Sequence, residues 1–194
     1  MDIRATLAKA LLENEISGNL AFVYKFSDAD GVRTGKSGYS FGRCQFDLQN
    51  NPMARQCLTD AGFTLEEVVG LTKQELGAET MRALNARLQT PAVMAIIDDY
   101  DNRHLDETIT HTHAVVTNAG LHLADQEVFI HLADYHNQFY INYRGKCVAW
   151  LQRLGRPISS ADVLDYKLTT LWGQKRPDDV ARRWNNIHAI CAGR

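Results

Sequence analysis

The stretch Ser37-Gly-Tyr-Ser-Phe-Gly-Arg-Cys-Gln-Phe-Asp47 brings glycines, hydroxyls, an amide, a carboxylate and aromatic rings into one short segment. Its glycines permit a tight backbone or the close approach of a ligand. Ser40, Gln45 and Asp47 supply small polar groups, and Tyr39 supplies an aromatic face. This mixture of donors, acceptors and stacking surface favours a loop that binds carbohydrate. The alternative is a glycine-bounded turn whose aromatic rings only fill the core.

Length, composition and charge set the broad class of protein. A chain of 194 residues with 45% hydrophobic and 23% charged residues predicts a single globular domain over residues 1–194. The 23 acidic and 21 basic residues give a formal charge of −2, so we expect no nucleic-acid partner. No apolar run is long enough for a transmembrane helix, so we expect no membrane span.

Helical patterns dominate the chain outside its front third. The predicted fold is mostly α, with a small β element near residues 19–46. Leu20–Phe26 is a candidate strand because it is apolar and partly β-branched or aromatic. Capping-box patterns at Thr64–Glu67 and Thr72–Glu75 predict two helix starts. We expect helices over residues 2–14, 51–61, 78–88, 91–100, 123–142, 144–154, 160–173 and 178–191, with residues 102–122 starting as helix and ending as loop.

Carboxylates precede and close the central loop. Glu13 and Glu15 lie at the predicted end of the first helix, Asp28 and Asp30 lie in a predicted turn, and Asp47 ends the loop. Glycoside cleavage needs one protonated carboxyl group for the leaving oxygen and a second group for charge or water. A glutamate at the edge of a cleft and an aspartate in a solvated turn suit these two roles. The alternative is that the glutamates are solvated helix-end charges and the aspartates only form turns.

The central loop resembles a segment of goose-type lysozymes and related lytic transglycosylases. Gly42, Gln45 and Asp47 fall on the glycine, glutamine and aspartate of their Gly-Phe-Gly-Leu-Met-Gln-Val-Asp pattern. The resemblance implies a lysozyme-like α+β fold and a catalytic glutamate at the end of the upstream helix, with Glu15 preferred over Glu13. A shorter match, Leu132-Ala-Asp-Tyr-His-Asn137, is similar to the transglycosylase Ala-Tyr-Asn motif and nominates Tyr135.

The implied function is cleavage of the β-1,4 bonds of peptidoglycan, by hydrolysis or by transglycosylation, without a cofactor. The expected catalytic residues are Glu15, Asp30 and Asp47, and the expected substrate-binding residues are Tyr39, Ser40, Gln45 and Tyr135. A resemblance to phage-type lysozymes instead makes Asp28 or Asp30 the aspartate and Ser40 the hydroxyl. A resemblance of residues 30–33 to chitosanases implies a chitosanase or chitinase activity. A lysozyme-like module that binds glycan without cutting it is the non-enzymatic alternative.

A metal site and a cysteine nucleophile are two alternative chemistries. The histidine spacings do not match helical zinc sites, so we expect no metal; the histidines concerned are His111, His113, His122, His131 and His136. A Cys44 nucleophile is the second alternative, but nothing in the sequence places a histidine beside it.

The start of the chain and its cysteines bear on location. The N-terminus is amphipathic and unlike a signal peptide, and the four scattered cysteines do not indicate a disulfide scaffold. We therefore expect synthesis in the cytoplasm and action in the periplasm or outside the cell after phage-type or specialised-secretion delivery. A delivery or immunity protein is a further partner that the sequence does not identify.

Overall fold

A computed structural model describes residues 1–28 and 36–193 as a mostly helical chain with one small antiparallel sheet. The predicted mostly α class with a small β element is confirmed at this level. The α-helices are α1 Ile3–Ile16, α2 Pro52–Asp60, α3 Leu65–Lys73, α4 Ala78–Leu88, α5 Pro91–Asn118, α6 Gln126–Phe139, α7 Lys146–Gln152, α8 Ser160–Thr169, α9 Leu171–Lys175 and α10 Pro177–Cys191. Among these helices, none has the length and apolar character needed to cross a membrane.

The sheet has three short antiparallel strands in the order β1-β2-β3: β1 Ser27–Asp28, β2 Tyr39–Phe41 and β3 Phe46–Asp47. Ser40 of β2 pairs with Ser27 on one side and with Asp47 on the other. The strands fall within or next to the predicted β element. Asp30, a predicted catalytic residue, lies outside the described residues.

The predicted strand over Leu20–Phe26 is wrong. Leu20–Phe22 forms one turn of 3₁₀ helix, and the Asn19 side chain caps it by accepting a hydrogen bond from the Ala21 amide at 3.1 Å. Leu20 and Phe22 remain exposed, so this apolar run does not bury the alternate residues of a strand.

Helix starts follow local capping chemistry, with one exception. Asn51 caps α2, and Thr64 and Glu67 form the predicted capping box of α3. The second predicted capping box, at Thr72, is wrong. Thr72 belongs to the last turn of α3, where its hydroxyl donates to the Val68 carbonyl at 2.7 Å.

The described chain divides into two compact units. The central unit is Glu15–His104, and the terminal unit combines Met1–Asn14 with Leu105–Arg194. The core of the central unit contains aromatic rings packed edge to face, at centroid distances of 5.7 Å for Phe26–Phe41 and 5.9 Å for Phe41–Phe46. These contacts fix the sheet within this unit.

The terminal unit has its own core around α6. Buried aliphatic side chains pack together there, including Val128, Leu132, Val148, Leu151 and Val163. The same unit buries an ionic cluster, in which the carboxylate of Asp134 lies 2.6 Å from Arg183 and 3.1 Å from Lys167. Burial alone raises the pKa of Asp134, but the two cations outweigh it and hold that pKa well below its ordinary value.

Candidate active site

The first element of the site is the end of α1. This helix ends at Ile16, and Ser17 and Gly18 then take left-handed backbone angles, with φ of 52° and 68°. This turn leads the chain from α1 toward the sheet. Glu15, in the last turn of the helix, is half-buried, as is Glu13. Both candidate acids therefore combine partial burial with partial access to solvent.

The second element is the turn Gly42-Arg43-Cys44-Gln45, which joins β2 to β3. Gly42 and Gln45 both have positive φ, of 79° and 51°. A side chain at Gly42 would also press on the ring of Phe46, because an added Cβ would lie 3.1 Å from that ring. Glycine is therefore favoured at this position on two grounds.

The Gln45 side chain holds the turn together. Its amide nitrogen donates to the Gly42 carbonyl at 3.0 Å, and its amide oxygen accepts a hydrogen bond from the Ser27 hydroxyl at 2.6 Å. Gln45 thus links the turn to β1. Ser40 is buried and Tyr39 is half-buried in β2, so Tyr39 is the more accessible of these two predicted substrate-binding residues.

Asp101 of α5 fixes the turn from the other side. One carboxylate oxygen accepts from the Arg43 amide at 2.7 Å, and the other accepts from the Cys44 amide at 3.1 Å. Asp101 is only 1% exposed. Burial raises its pKa, and the two amide donors oppose that rise. The sequence gives no signal for this role, because Asp101 is distant along the chain and belongs to no motif.

Two carboxylates and one cation act on the Cys44 thiol of the turn; the cation is Arg43, which itself belongs to the turn. Burial raises the pKa of the Cys44 thiol well above its ordinary value, and the charges of Asp101 and Glu15 raise it further. This is the effect of Glu15 on the thiol, and the predicted role of Glu15 as the acid stays a prediction. A thiol in this environment stays protonated, which disfavours the alternative of a Cys44 nucleophile.

A tyrosine–aspartate pair completes the surroundings of the turn. The Tyr24 hydroxyl donates to Asp98 at 2.7 Å. Burial and this hydrogen bond raise the pKa of Tyr24 to about 12, with Arg43 acting in the opposite direction. Neither Tyr24 nor Asp98 was identified from the sequence. The phenol of Tyr24 and the half-buried carboxylate of Asp98 are polar groups that can form hydrogen bonds with a sugar hydroxyl.

Asp47 lies at the open end of the hairpin, away from the turn. Its carboxylate accepts hydrogen bonds from the Gly38 amide at 2.9 Å, the Gln49 amide at 2.8 Å and the Asn50 side chain at 2.6 Å. These contacts close the loop. Asp28 similarly accepts a hydrogen bond from Gln74 at 3.0 Å. The structure gives Asp47 a role in organising the hairpin, and its predicted catalytic role stays a prediction.

Tyr135 belongs to the terminal unit, on α6. Its hydroxyl lies 3.4 Å from the hydroxyl of Tyr166, and burial raises the pKa of Tyr135. Both tyrosines line a cavity of about 410 Å³ together with Phe139, Lys146 and Trp172. This lining combines aromatic faces with polar tips, which is the composition of a small-ligand pocket.

Four of the five histidines that prompted the metal alternative take part in ring contacts. His111 stacks on His136 at a centroid distance of 4.4 Å, and its Nε2 lies 2.7 Å from the Ile141 carbonyl oxygen. Within residues 1–28 and 36–193, no three His, Cys, Asp or Glu side chains form a group able to hold a metal ion. The four cysteines are free thiols.

Comparison with known proteins adds no relative to this description. No protein-family model matches the chain, and no curated protein or solved structure matches it at a significant level.

Proposed function

We propose that the protein is a peptidoglycan-cleaving glycosidase of the lysozyme-like superfamily, with Glu15 as the general acid. One observation carries the proposal: Glu15 is half-buried in the last turn of α1, and the small antiparallel sheet with its Gly42–Gln45 turn follows that helix in the chain. The resemblance described above is built from the same parts in the same chain order.

In the proposed reaction, Glu15 donates its proton to the glycosidic oxygen as the bond to the leaving sugar breaks. Positive charge then develops on the sugar ring, and negative groups close to it are stabilising. The Asp101 carboxylate, which contacts the turn, supplies negative charge there, and Arg43 of the turn partly offsets it. Asp101 is buried and bonded to two amides, so it acts by positioning the turn.

The identity of a second catalytic group separates two versions of this chemistry. A hydrolase needs a carboxylate to activate water or to stabilise charge, with Asp30 and Asp47 as the candidates. A lytic transglycosylase works with one acid, because the 6-hydroxyl of the sugar itself replaces water and returns its proton to the ionised Glu15. The three hydrogen bonds to Asp47 favour the version with one acid.

The direct test is digestion of purified sacculi followed by mass spectrometry of the released muropeptides. We expect soluble muropeptides from the native protein, with anhydro ends if transglycosylation occurs and reducing ends if hydrolysis occurs. The Glu15→Gln variant keeps the size and hydrogen bonding of the side chain and should release neither. Release by that variant at the native rate would refute the role of Glu15.

Location is tested separately. Peptidoglycan lies outside the cytoplasmic membrane, so bacteria that express the protein without an export leader should grow normally. Directing it to the periplasm with an added leader should lyse them. Equal toxicity in both cases would indicate a cytoplasmic target instead of the wall.

A non-catalytic glycan-binding module is the second candidate, favoured by the cavity that contains Tyr135 and Trp172. Aromatic faces of this kind stack on sugar rings, and Trp172 is 43% exposed. A pure binding module would sediment with sacculi without releasing muropeptides. The chitosanase alternative depends on residues 30–33, which lie outside the described residues, and release of chitosan oligomers would test it.

A further inference from the structure

We propose that the central unit carries a second ligand site, which binds an aliphatic carboxylate in a cavity between α2 and α3. The cavity has a volume of about 890 Å³, within the size range of small-molecule sites. Ser37 and Gln49 line it and flank the open end of the β2–β3 hairpin. The turn with the proposed catalytic chemistry is at the other end of that hairpin. Glu15 and the Gly42–Gln45 turn do not line the cavity among the described residues, although Asp47, the candidate second group, accepts a hydrogen bond from the amide of Gln49 beside it. A ligand site here goes beyond the proposed function.

One wall of the cavity is an exposed aliphatic stripe on α3. Leu65 and Val69 are four residues apart, on one face of the helix, and both line the cavity. Leu65 is 81% exposed and Val69 is 40% exposed. A second stripe, Val68 and Leu71, is buried and already holds α3 to the unit. The exposed stripe is therefore not needed to anchor the helix, and it offers apolar surface to a ligand.

The α2 part of the lining contains a half-buried guanidinium. Arg55 of α2 donates through Nη1 to the carbonyls of Leu48 and Gln49, at 2.5 and 3.2 Å. These bonds fix the side chain. Within residues 1–28 and 36–193, no carboxylate lies within ion-pair distance of Arg55. A positioned, partly desolvated cation without an acidic partner in the described part of the chain favours an anionic ligand.

The other charged residues of the cavity also favour an anionic ligand. Lys73, at the end of α3, adds a second cation, and Glu75 adds the one carboxylate among the described residues that line the cavity. The described residues of the lining therefore carry a net positive charge. An occupant that satisfies both parts of the lining has an aliphatic chain for Leu65 and Val69 and a carboxylate for Arg55. A fatty acid and the carboxyl end of an aliphatic peptide share that chemistry.

The test is isothermal titration of the full-length protein with matched acids and neutral amides. One arm uses sodium octanoate and octanamide, and the other uses acetyl-leucyl-alanyl-leucine with a free carboxyl end and its amide. We expect the acid of at least one pair to bind about tenfold or more tightly than its amide, because a charge-assisted hydrogen bond is lost in the amide. Selective binding of octanoate would indicate a lipid as the source of the carboxylate, and selective binding of the tripeptide acid would indicate a peptide. Equal binding of acid and amide in both arms, or no binding in either, would overturn the proposal.

Variants locate the binding. Leu65→Asp places a negative charge on an exposed position, so the fold is retained while carboxylate binding should weaken about tenfold or more. Lys73→Gln should weaken it by a few-fold, and Arg55→Gln more strongly, with circular dichroism to verify folding. The matched control is Leu171→Asp, since Leu171 is 78% exposed but belongs to the terminal unit. An equal loss in Leu171→Asp, or unchanged binding in Leu65→Asp, would show that the cavity is not the site.

Discussion

The Asn14 side chain donates a hydrogen bond to the buried carboxylate of Asp134, with Nδ2 and Oδ1 3.1 Å apart. Arg183 binds the same carboxylate and also donates to the Asn14 carbonyl, at 3.3 Å. Arg182 donates to that carbonyl at 3.1 Å. Cations at the last carbonyls of a helix stabilise its end. These contacts fix the residue that immediately precedes the proposed acid, Glu15.

The buried ionic cluster predicts a large loss of stability in Asp134→Asn. Removing this carboxylate leaves Arg183 and Lys167 buried without their counter-charge, which typically costs 3–5 kcal/mol. Urea unfolding followed by circular dichroism measures the change in the free energy of unfolding. The control is Asp106→Asn, which breaks the exposed 2.7 Å pair with Arg4 and should cost less than about 1 kcal/mol. Equal losses in the two variants would contradict the stabilising role of the cluster.

The proposed acid predicts different results for the two neighbouring glutamates. Glu15→Gln should reduce the rate of muropeptide release about 10²- to 10⁴-fold, because general acid catalysis contributes that much. Glu13→Gln makes the same chemical change two residues away and should retain most of the activity. Both variants must bind sacculi and melt like the native protein for the comparison to report on chemistry. Loss of activity in Glu13→Gln alone would move the acid to Glu13.

The Asp101 contacts predict that Asp101→Ala destabilises the central unit. This change leaves two amide hydrogens without acceptors, at roughly 1–3 kcal/mol for each buried group. Asp99→Ala is the control, because Asp99 forms an exposed ion pair with Arg103 and should lose less than about 1 kcal/mol. Urea unfolding compares the two variants. A loss for Asp101→Ala no larger than the control would show that the turn does not depend on this carboxylate.

His131 predicts a loss of stability at mildly acidic pH. Burial lowers its pKa from 6.5 to about 4, against the opposing charges of Asp134 and Glu127 and with the help of Lys167. As the pH falls below 6.5, the unfolded chain binds a proton at this histidine while the folded protein does not. The free energy of unfolding should therefore fall between about pH 6.5 and 4, by roughly 3 kcal/mol from this residue.

The measurement is urea unfolding at a series of pH values. His131→Phe removes the titrating group and should flatten the curve over that interval, apart from the contributions of other groups. His122→Phe changes an exposed histidine and should leave the shape of the curve as in the native protein. An unchanged slope in His131→Phe would assign the acid sensitivity to other residues.

Sequence reasoning predicted features that depend on neighbouring residues. The Asn51 cap and the Thr64–Glu67 capping box form as predicted, since each needs only a few consecutive residues. The Thr72 pattern failed because a threonine hydroxyl can also bond within a helix, as it does to Val68. The strand prediction for Leu20–Phe26 failed because apolar residues without a consistent buried face do not specify a strand.

The candidate site was predictable only in part, for the same physical reason. Glu15 and the loop were selected from their chemistry and order in the chain. The contact of Asp101 with Cys44 joins residues 57 positions apart, and no local pattern encodes it. Asp98 opposite Tyr24 is likewise a product of tertiary packing. The hydrogen bonds that occupy Asp47 also became visible only once the hairpin was folded.

The pinning of the Gly42–Gln45 turn has a thermodynamic consequence for ligand binding. Asp101 holds two of its amides and Gln45 closes it, so its backbone is already ordered before any ligand arrives. A ligand that contacts this turn therefore does not have to freeze a mobile loop, and it avoids the entropic penalty of doing so. The entropy cost of ordering this turn is part of the free energy of folding. Affinity at the turn then depends on the fit of the ligand to a preorganised surface.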